Sequence, residues 1–168
     1  PNCTEITGFL YIGGSNITDL SPLSNIQSVG GYLYAEHSSQ LTSLQGLHNV
    51  TSVGGGLSIY NNPQLNSVQA LSNITSLGGF LSIYNTNLSS LEGLHNITAI
   101  DGGLSITSNA VLTDISALEN IDPETITDTG LYIAGNSSLS VCDLDNFCTF
   151  LQGSGTRTIS GNAGDCVS

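Results

Sequence analysis

One stretch of the chain decides its fold: residues 57–79 read LSIYNNPQLNSVQALSNITSLGG. Its two neighbours repeat the same frame, with LYAEHSSQLTSLQGLHNVTSVGG at 33–55 and LSIYNTNLSSLEGLHNITAIDGG at 81–103. Each stretch begins with an alternating strand, continues with apolar residues at steps of three, and ends on or beside Gly-Gly. A fixed period in the twenties is typical of proteins built from stacked repeats.

The strand leucines recur every 23 to 27 residues, at Leu10, Leu33, Leu57, Leu81, Leu104 and Leu131. Alternate residues of a strand face opposite sides, so Leu57 and Ile59 are predicted to point inward and Ser58 and Tyr60 outward. The steps of three that follow predict 3₁₀-like turns, and Asn61 or Asn62 is predicted to bond to the next coil. The sequence therefore predicts a mainly β fold, a right-handed β-solenoid of about six 23–27-residue coils.

The two ends of the chain depart from the repeat. We expect a single solenoid domain over 1–168, with an N-terminal edge strand in 1–9, repeats in 10–140 and a disulfide-containing C-terminal cap in 141–168. Extra residues in the coil after Leu104 predict a loop at 122–125. The segment Asp143–Gln152 predicts a short helix capped by Asp143, with Leu144, Phe147, Cys148 and Leu151 on the side that covers the core.

The composition excludes several classes of partner. Hydrophobic residues make up 39% of the chain, enough for a core, while one Arg stands against 13 Asp and Glu, for a net charge of -12. Nucleic acid and anionic membrane surfaces require a basic footprint, which this chain lacks. No apolar run is long enough for a membrane span. Four cysteines without Lys, Met or Trp favour an extracellular or cell-surface location.

The repeat resembles the receptor L domain, a leucine-rich-repeat-like β-solenoid of insulin-receptor and EGF-receptor ectodomains. The resemblance lies in strand entries such as Gly55-Gly56-Leu57-Ser58-Ile59 and Gly102-Gly103-Leu104-Ser105-Ile106, each followed by apolar residues at steps of three. Similar repeats occur in secreted microbial surface proteins, whose ending resembles 142–166. The resemblance implies a non-enzymatic module that binds ligands or partners.

Aromatic residues fall on the predicted outward face of the sheet, although the predicted core uses Leu, Ile and Val. Aromatic residues favour strands, but a cluster of exposed rings usually marks an interaction site. We therefore predict a face that binds a protein or a glycan. Its residues are Phe9, Tyr11, Tyr32, Tyr34, Tyr60, Phe80, Tyr84 and Tyr132.

Seven asparagines begin an N-x-[ST] sequon and are candidates for glycosylation. Three of them share one repeat position, so a structural turn would generate the same pattern. The candidates are Asn2, Asn16, Asn49, Asn73, Asn87, Asn96 and Asn136.

The cysteines predict one intrachain bond in the cap. Cys142 and Cys148 align with core positions of the repeat, and either could pair with Cys166. Six coils at about 4.8 Å each place Cys3 roughly 25–30 Å from the cap, beyond the ~7 Å that a disulfide spans. One cap cysteine is therefore predicted to be free or bonded to another molecule.

No catalytic or metal-binding motif is present, so we expect neither an enzyme nor a cofactor. His48 and His95 occupy equivalent repeat positions and are interpreted as solvated turns. Two alternatives to a recognition module remain open. One is a filament subunit joined head to tail through Cys3 and the surplus cap cysteine; the lesser one is ice binding by columns that include Thr51, Thr75 and Thr98.

Overall fold

The computed structural model describes residues 3–142, 144–153 and 155–163, with the backbone alone at 128–129. The chain is mainly β, with parallel pairing throughout. Its strands are, in chain order, β1 Glu5–Ile6, β2 Leu10–Ile12, β3 Ser28–Val29, β4 Leu33–Glu36, β5 Ser52–Val53, β6 Leu57–Asn62, β7 Ser76–Leu77, β8 Leu81–Thr86, β9 Ala99–Ile100, β10 Gly102–Thr107, β11 Ile126–Ala134 and β12 Arg157–Ser160.

Within the described residues, the larger sheet has seven strands in the order β12-β11-β10-β8-β6-β4-β2. The strand leucines pair in register from Leu10 to Leu131, as the repeat predicts, and Leu131 pairs with Arg157. Each position of the repeat therefore becomes a column of side chains that crosses the sheet.

A second sheet, which the sequence analysis missed, runs in the order β1-β3-β5-β7-β9. Its strands are two residues long and, from β3 onwards, lie just before the glycines that lead into the larger sheet. β1 lies within the 1–9 segment, at one edge of this smaller sheet. Strands this short show no clear alternation of polar and apolar residues, which is why the period of the sequence did not reveal them.

Short 3₁₀ turns follow the strands of the larger sheet at Ser21–Leu23, Gln69–Leu71 and Ser116–Leu118, as the steps of three predict. A side-chain oxygen two residues earlier bonds to the first backbone N–H of each turn. Asp19 accepts from Ser21 at 2.8 Å and Asp114 from Ser116 at 2.6 Å. These local bonds bend the chain back toward the core.

The core is aliphatic and lies between the two sheets. Leu57, Ile59, Leu81 and Ile83 have no solvent exposure, which confirms the inward assignment of alternate strand residues. Ser58 faces outward but is 7% exposed, and its hydroxyl donates to the Glu36 carboxylate at 2.7 Å.

A ladder of buried side chains joins the coils where the strands end. Asn62 accepts from the backbone N–H of Ser38 at 2.9 Å and donates to the Ala35 carbonyl at 2.7 Å. Asn109, Asn136 and Asn162 repeat this arrangement. The predicted asparagine bonding exists, but it runs to the preceding coil rather than the next. We call the buried Asn62, Thr86, Asn109 and Asn136, together with the partly buried Asn162, the buried ladder.

The extra residues of the coil after Leu104 form a 3₁₀ turn at Pro123–Thr125, where the sequence predicts a loop. Asp122 accepts from the backbone N–H of Glu124 at 3.0 Å and so begins the turn. The register between β10 and β11 then shifts: Gly102 pairs with Ile126, but Leu104 pairs with Leu131. The insertion is thus absorbed before the outward columns resume.

The cap contains helix α1, Asp145–Gln152, whose N-cap lies one residue later than predicted. Leu144 occupies the N-cap position without a side-chain capping bond, and the predicted capping residue, Asp143, lies outside the described residues. Phe147 is buried, whereas Cys148 is exposed, so the prediction that Cys148 faces the core is wrong. Phe147 is buried as predicted, and because successive helix residues point in different directions, the helix that buries Phe147 turns Cys148 outward.

Candidate binding face

The outward side of the larger sheet brings the predicted aromatic residues into register. Tyr11 pairs with Tyr34 on neighbouring strands, and Tyr60 pairs with Tyr84. Side chains directly opposite each other on one face are close enough to interact. The predicted outward columns are therefore in register across the sheet.

One group of rings lies over the N-terminal half of the sheet. Tyr32 stacks on Tyr34 with ring centroids 5.6 Å apart, and on Phe80 at 5.7 Å. Phe9 meets Tyr34 edge to face at 6.5 Å. These separations lie within the range at which aromatic pairs attract. We call Phe9, Tyr32, Tyr34 and Phe80 the first ring cluster.

The first ring cluster depends on a missing side chain. Tyr32 and Phe80 are two coils apart, with Gly56 between them in the same column. A Cβ on Gly56 would lie 2.9 Å from the Phe80 ring and 2.8 Å from the Phe80 carbonyl oxygen. Because Gly56 has no side chain, the two rings close the gap and stack.

A second ring cluster, formed by His37, Tyr60 and Tyr84, lies beside the first. Tyr60 and Tyr84 stack with centroids 4.7 Å apart and planes 13° apart, and His37 contacts Tyr60 edge to face at 5.1 Å. His37 was not predicted as a site residue. In the sequence, His37 aligns with Asn61 and Asn85, which do not indicate a ring contact, and all three residues have a positive φ in the structure.

The rings are exposed to different extents. Phe9, Tyr11, Tyr32 and Tyr60 have 66, 52, 43 and 38% of their surface exposed, and Tyr34, Phe80, Tyr84 and Tyr132 are partly buried. Within the described residues, no tyrosine hydroxyl has an internal hydrogen-bond partner. These hydroxyls therefore remain available to a bound molecule.

Tyr132 stands apart from both ring clusters. It lines a surface pocket of about 320 Å³ together with Phe80, Ser82 and Ser105. Tyr11, at the other end of the sheet, lies over Gly13, where a Cβ would meet its ring. The eight predicted ring residues thus share one face but do not form a single stack.

The sequons divide into structural and exposed positions. Asn136 has no solvent exposure, and its side chain is bonded within the buried ladder, so its prediction as a glycosylation site is wrong for the folded chain. Asn49, Asn73 and Asn96 are exposed, but each donates its Nδ2 to the preceding coil at 2.7 Å. The repeat thus uses the very atom that a glycan would occupy.

The asparagine side chains of the remaining sequons are less restricted by hydrogen bonds. Asn16 and Asn87 are exposed and donate no side-chain hydrogen bond among the described residues. Asn2 lies outside the described residues. Glycosylation at Asn16 and Asn87 stays a prediction.

The cysteines differ in their surroundings. Cys3 and Cys148 are exposed free thiols, which contradicts the alternative that pairs Cys148 with Cys166. Cys142 is partly buried and packs against the core. It follows Val141, which bridges to Asp114, so it does occupy the repeat position of Val68. Cys166 lies outside the described residues.

The described residues contain no group of three or more His, Cys, Asp or Glu side chains that could hold a metal ion. Nor does any helix in the described ranges have the length and apolar character needed to cross a membrane.

His95 contacts Glu92 at 3.1 Å, with both side chains at the surface, and His48 contacts Gln45 at 3.3 Å.

Among the residues that the structure describes, one carboxyl group has a perturbed pKa. Hydrogen bonds from the side chain and then the backbone of Ser21 hold the pKa of Asp19 below its ordinary value. This residue begins a 3₁₀ turn and lies away from the ring clusters, so its shifted pKa reflects turn formation.

Two parallel sheets, an aliphatic core and one exposed aromatic face describe a stacked-repeat domain with a surface suited to binding. The receptor L domain family matches this chain over residues 2–69 and again over 49–152, and the chain belongs to that family. Receptor L domains bind ligands and occur in the extracellular regions of receptors. No curated protein matches the chain.

Proposed function

We propose that this chain is a secreted, non-enzymatic recognition or adhesion module that binds a protein or a glycan through its aromatic face. The observation that carries the proposal is the pair of ring clusters, exposed on one face with tyrosine hydroxyls that have no internal partner. Rigid aromatic side chains with a polar tip are enriched at the centres of interfaces, because they bury a large area at low entropic cost.

The electrostatics support a neutral or cationic partner. Glu36 is the charged residue that the register places beside Tyr60 on the face, and its carboxylate accepts from Ser58. The net charge of -12 disfavours an acidic partner, since like charges juxtaposed at an interface cost several kcal/mol.

The test compares the second ring cluster with a site elsewhere on the surface. Tyr60→Ser with Tyr84→Ser should leave the melting temperature nearly unchanged and weaken binding by more than about 1 kcal/mol, as expected for interface aromatics. Binding is read on a glycan array and by pull-down of extracellular proteins. Val111→Ser is the matched control, because Val111 is 42% exposed and lies off the face. Equal binding by both variants would contradict the proposal.

The proposed architecture is a right-handed solenoid of about six coils with one domain over 1–168. Parallel pairing of successive strands in the larger sheet supports it, because crossover connections between parallel strands are right-handed in about 98% of cases. For the cap, we propose a bond between Cys142 and Cys166, since Cys3 and Cys148 are free. Peptide mapping without reduction tests this pairing.

A second candidate function is a filament subunit that assembles head to tail. It is favoured by two exposed thiols, Cys3 beside the edge strand β1 and Cys148 on the cap helix α1. Contacts between unlike ends generate open filaments, and a disulfide between these thiols would fix them.

The filament candidate predicts a ladder of oligomers on a non-reducing gel. Either Cys3→Ser or Cys148→Ser should abolish the ladder, because each removes one partner of the bond. A wild-type protein that runs only as a monomer, with both thiols open to alkylation, would contradict the covalent filament. The ice-binding alternative receives less support, since the hydroxyls of Thr51 and Thr98 already donate to internal carbonyls.

A further inference from the structure

The pocket beside Tyr132 is a separate feature of the aromatic face. Its lining includes two aromatic side chains, Phe80 and Tyr132, which we call its rim, and two short ones, Ser82 and Ser105, which we call its floor. Its volume is about 320 Å³. Ligand pockets span about 300–1,000 Å³, so this one is sized for a single small ring rather than a large ligand.

Two successive glycines keep this pocket open. In the column that contains Tyr32 and Phe80, the next two coils place Gly103 and Gly130. At Gly56, the rings of Tyr32 and Phe80 on either side stack and close the gap. At Gly103 and Gly130, Phe80 stands on one side, but the column has no second ring beyond Gly130. Tyr132 stands in the neighbouring column and closes the pocket diagonally.

The floor of the pocket offers hydrogen bonds that the protein itself does not use. Ser82 and Ser105 are opposite each other on adjacent strands and partly buried. Neither hydroxyl has an internal partner within the described residues, whereas the equivalent hydroxyl of Ser58 donates to Glu36. Each free hydroxyl can donate one hydrogen bond and accept two.

The lining also restricts the charge of a ligand. None of its eight residues is charged, so neither an anion nor a cation would find a counter-ion there. A bound charge would be desolvated without compensation. The aromatic rim suits carbon–hydrogen groups, because their small positive charge meets the negative face of a ring.

We infer that this pocket binds one neutral pyranose ring of a glycan, held between Phe80 and Tyr132 and hydrogen-bonded through its hydroxyls to Ser82 and Ser105. A purely apolar side chain would leave both serine hydroxyls unpaired, and a quaternary ammonium would not use them. The inference rests on the proposed function of the aromatic face, whose glycan version it specifies.

The experiment uses the ¹⁵N-labelled chain and follows its amide spectrum during titration. The probes are the methyl glycosides of glucose, mannose and galactose. Glucuronate, tetramethylammonium and N-acetylprolinamide test an acidic sugar, a cation and a peptide. We expect at least one methyl glycoside to shift the amides of Ser82 and Ser105, and the three other probes to leave them unchanged.

Two variants locate the interaction. Ser82→Ala with Ser105→Ala should weaken the bound glycoside about tenfold or more, the equivalent of about 1.4 kcal/mol. This change removes two oxygens without altering the shape of the floor, so the fold is retained. Tyr132→Ala should also weaken binding. Thr107→Ala is the control, since Thr107 faces outward on the same strand but does not line the pocket.

Absence of shifts with all three methyl glycosides would overturn the inference, as would shifts with N-acetylprolinamide or tetramethylammonium instead. Equal affinity of the serine double variant and the wild type would also overturn it. Tyr60→Ser with Tyr84→Ser should retain glycoside binding, because neither tyrosine lines the pocket. If the Tyr60→Ser, Tyr84→Ser variant loses binding on the glycan array or in the pull-down but still binds the glycoside, the result supports both the aromatic face and a separate pocket.

Discussion

The buried ladder and the two ring clusters are made by the same repeat but have opposite relations to solvent. In the buried ladder, Asn62 and Asn109 satisfy backbone groups of neighbouring coils and have no exposure. On the face, Tyr32 and Tyr60 stack on neighbours but keep 43 and 38% of their surface exposed. One period of 23 to 27 residues thus produces both an internal hydrogen-bond network and an external binding surface.

The difference shows that repetition alone does not assign a role to a column. Rows of identical side chains in stacked strands often stabilise the stack, as the asparagines do here. The tyrosines also stack, yet their hydroxyls have no internal partner among the described residues. A column whose polar atoms are all satisfied is structural, whereas a column with unused donors and acceptors is suited to a partner.

The largest expected effect separates inside from outside on one strand. Ile59→Asp should abolish cooperative folding, because it places an unpaired charge at a position with no solvent exposure. Circular dichroism during heating measures the loss. Tyr60→Asp, one residue away on the outward side, is the matched control and should retain a cooperative transition. Similar melting of the two variants would break the distinction between core and face.

A smaller effect is expected within the buried ladder. Asn109 accepts from Thr86 and donates to the Ile83 carbonyl at 3.0 Å. Asn109→Ala should lower the free energy of unfolding by about 2–4 kcal/mol, since it leaves buried donors and acceptors unpaired. Chemical denaturation measures this change.

The exposed asparagine Asn73 is the control for the buried ladder. It makes one hydrogen bond to the preceding coil, to the His48 carbonyl at 2.7 Å. Because water can replace that bond, Asn73→Ala should cost no more than about 1 kcal/mol. A cost equal to that of Asn109→Ala would mean that burial does not distinguish the two sets of asparagines.

Much of the larger sheet could be predicted from the sequence, because its signal is long and periodic. Strand leucines at regular steps gave the register, and alternation gave the outward positions of Tyr60 and Tyr84. The family was recognised from the same strand entries. The sequence was therefore sufficient to predict the residues of each column wherever the position of a column depends only on the repeat length.

Other features depend on geometry that a linear repeat does not contain. Continuing the repeat into the cap predicted Cys148 as a core residue beside Phe147, but the helix buries Phe147, as predicted, and turns Cys148 outward. The sequon at Asn136 is a different case: Asn136 occupies the repeat position of Asn62, so the repeat already predicted its bonding to another coil, whereas the sequon pattern alone did not show its burial. The pocket beside Tyr132 could not be predicted from either column alone, because it lies diagonally between Phe80 in one column and Tyr132 in the next.

The smallest expected effect concerns a polar contact on the outside. Asp19 accepts from the hydroxyl and then from the backbone N–H of Ser21, and these two bonds lower the pKa of its carboxyl below the ordinary value of 3.8. A lowered pKa in the folded state means that the ionised form stabilises the fold. This contribution is present above the unfolded pKa and is lost as the pH falls through the folded pKa.

Asp19→Asn should therefore melt slightly below the wild type at neutral pH, and the difference should disappear in acid, below pH 3.8. The control is Ser43→Ala, because Ser43 accepts from Gln45 at the same position of the next coil but does not titrate. Its small effect should be the same at every pH. Thermal melts at several pH values measure both variants. Water competes for the partners of exposed hydrogen bonds, so these bonds should contribute little to stability, whereas the bonds of the buried ladder should contribute much. A large effect of Asp19→Asn on the melting temperature, or one that does not change with pH, would contradict this distinction.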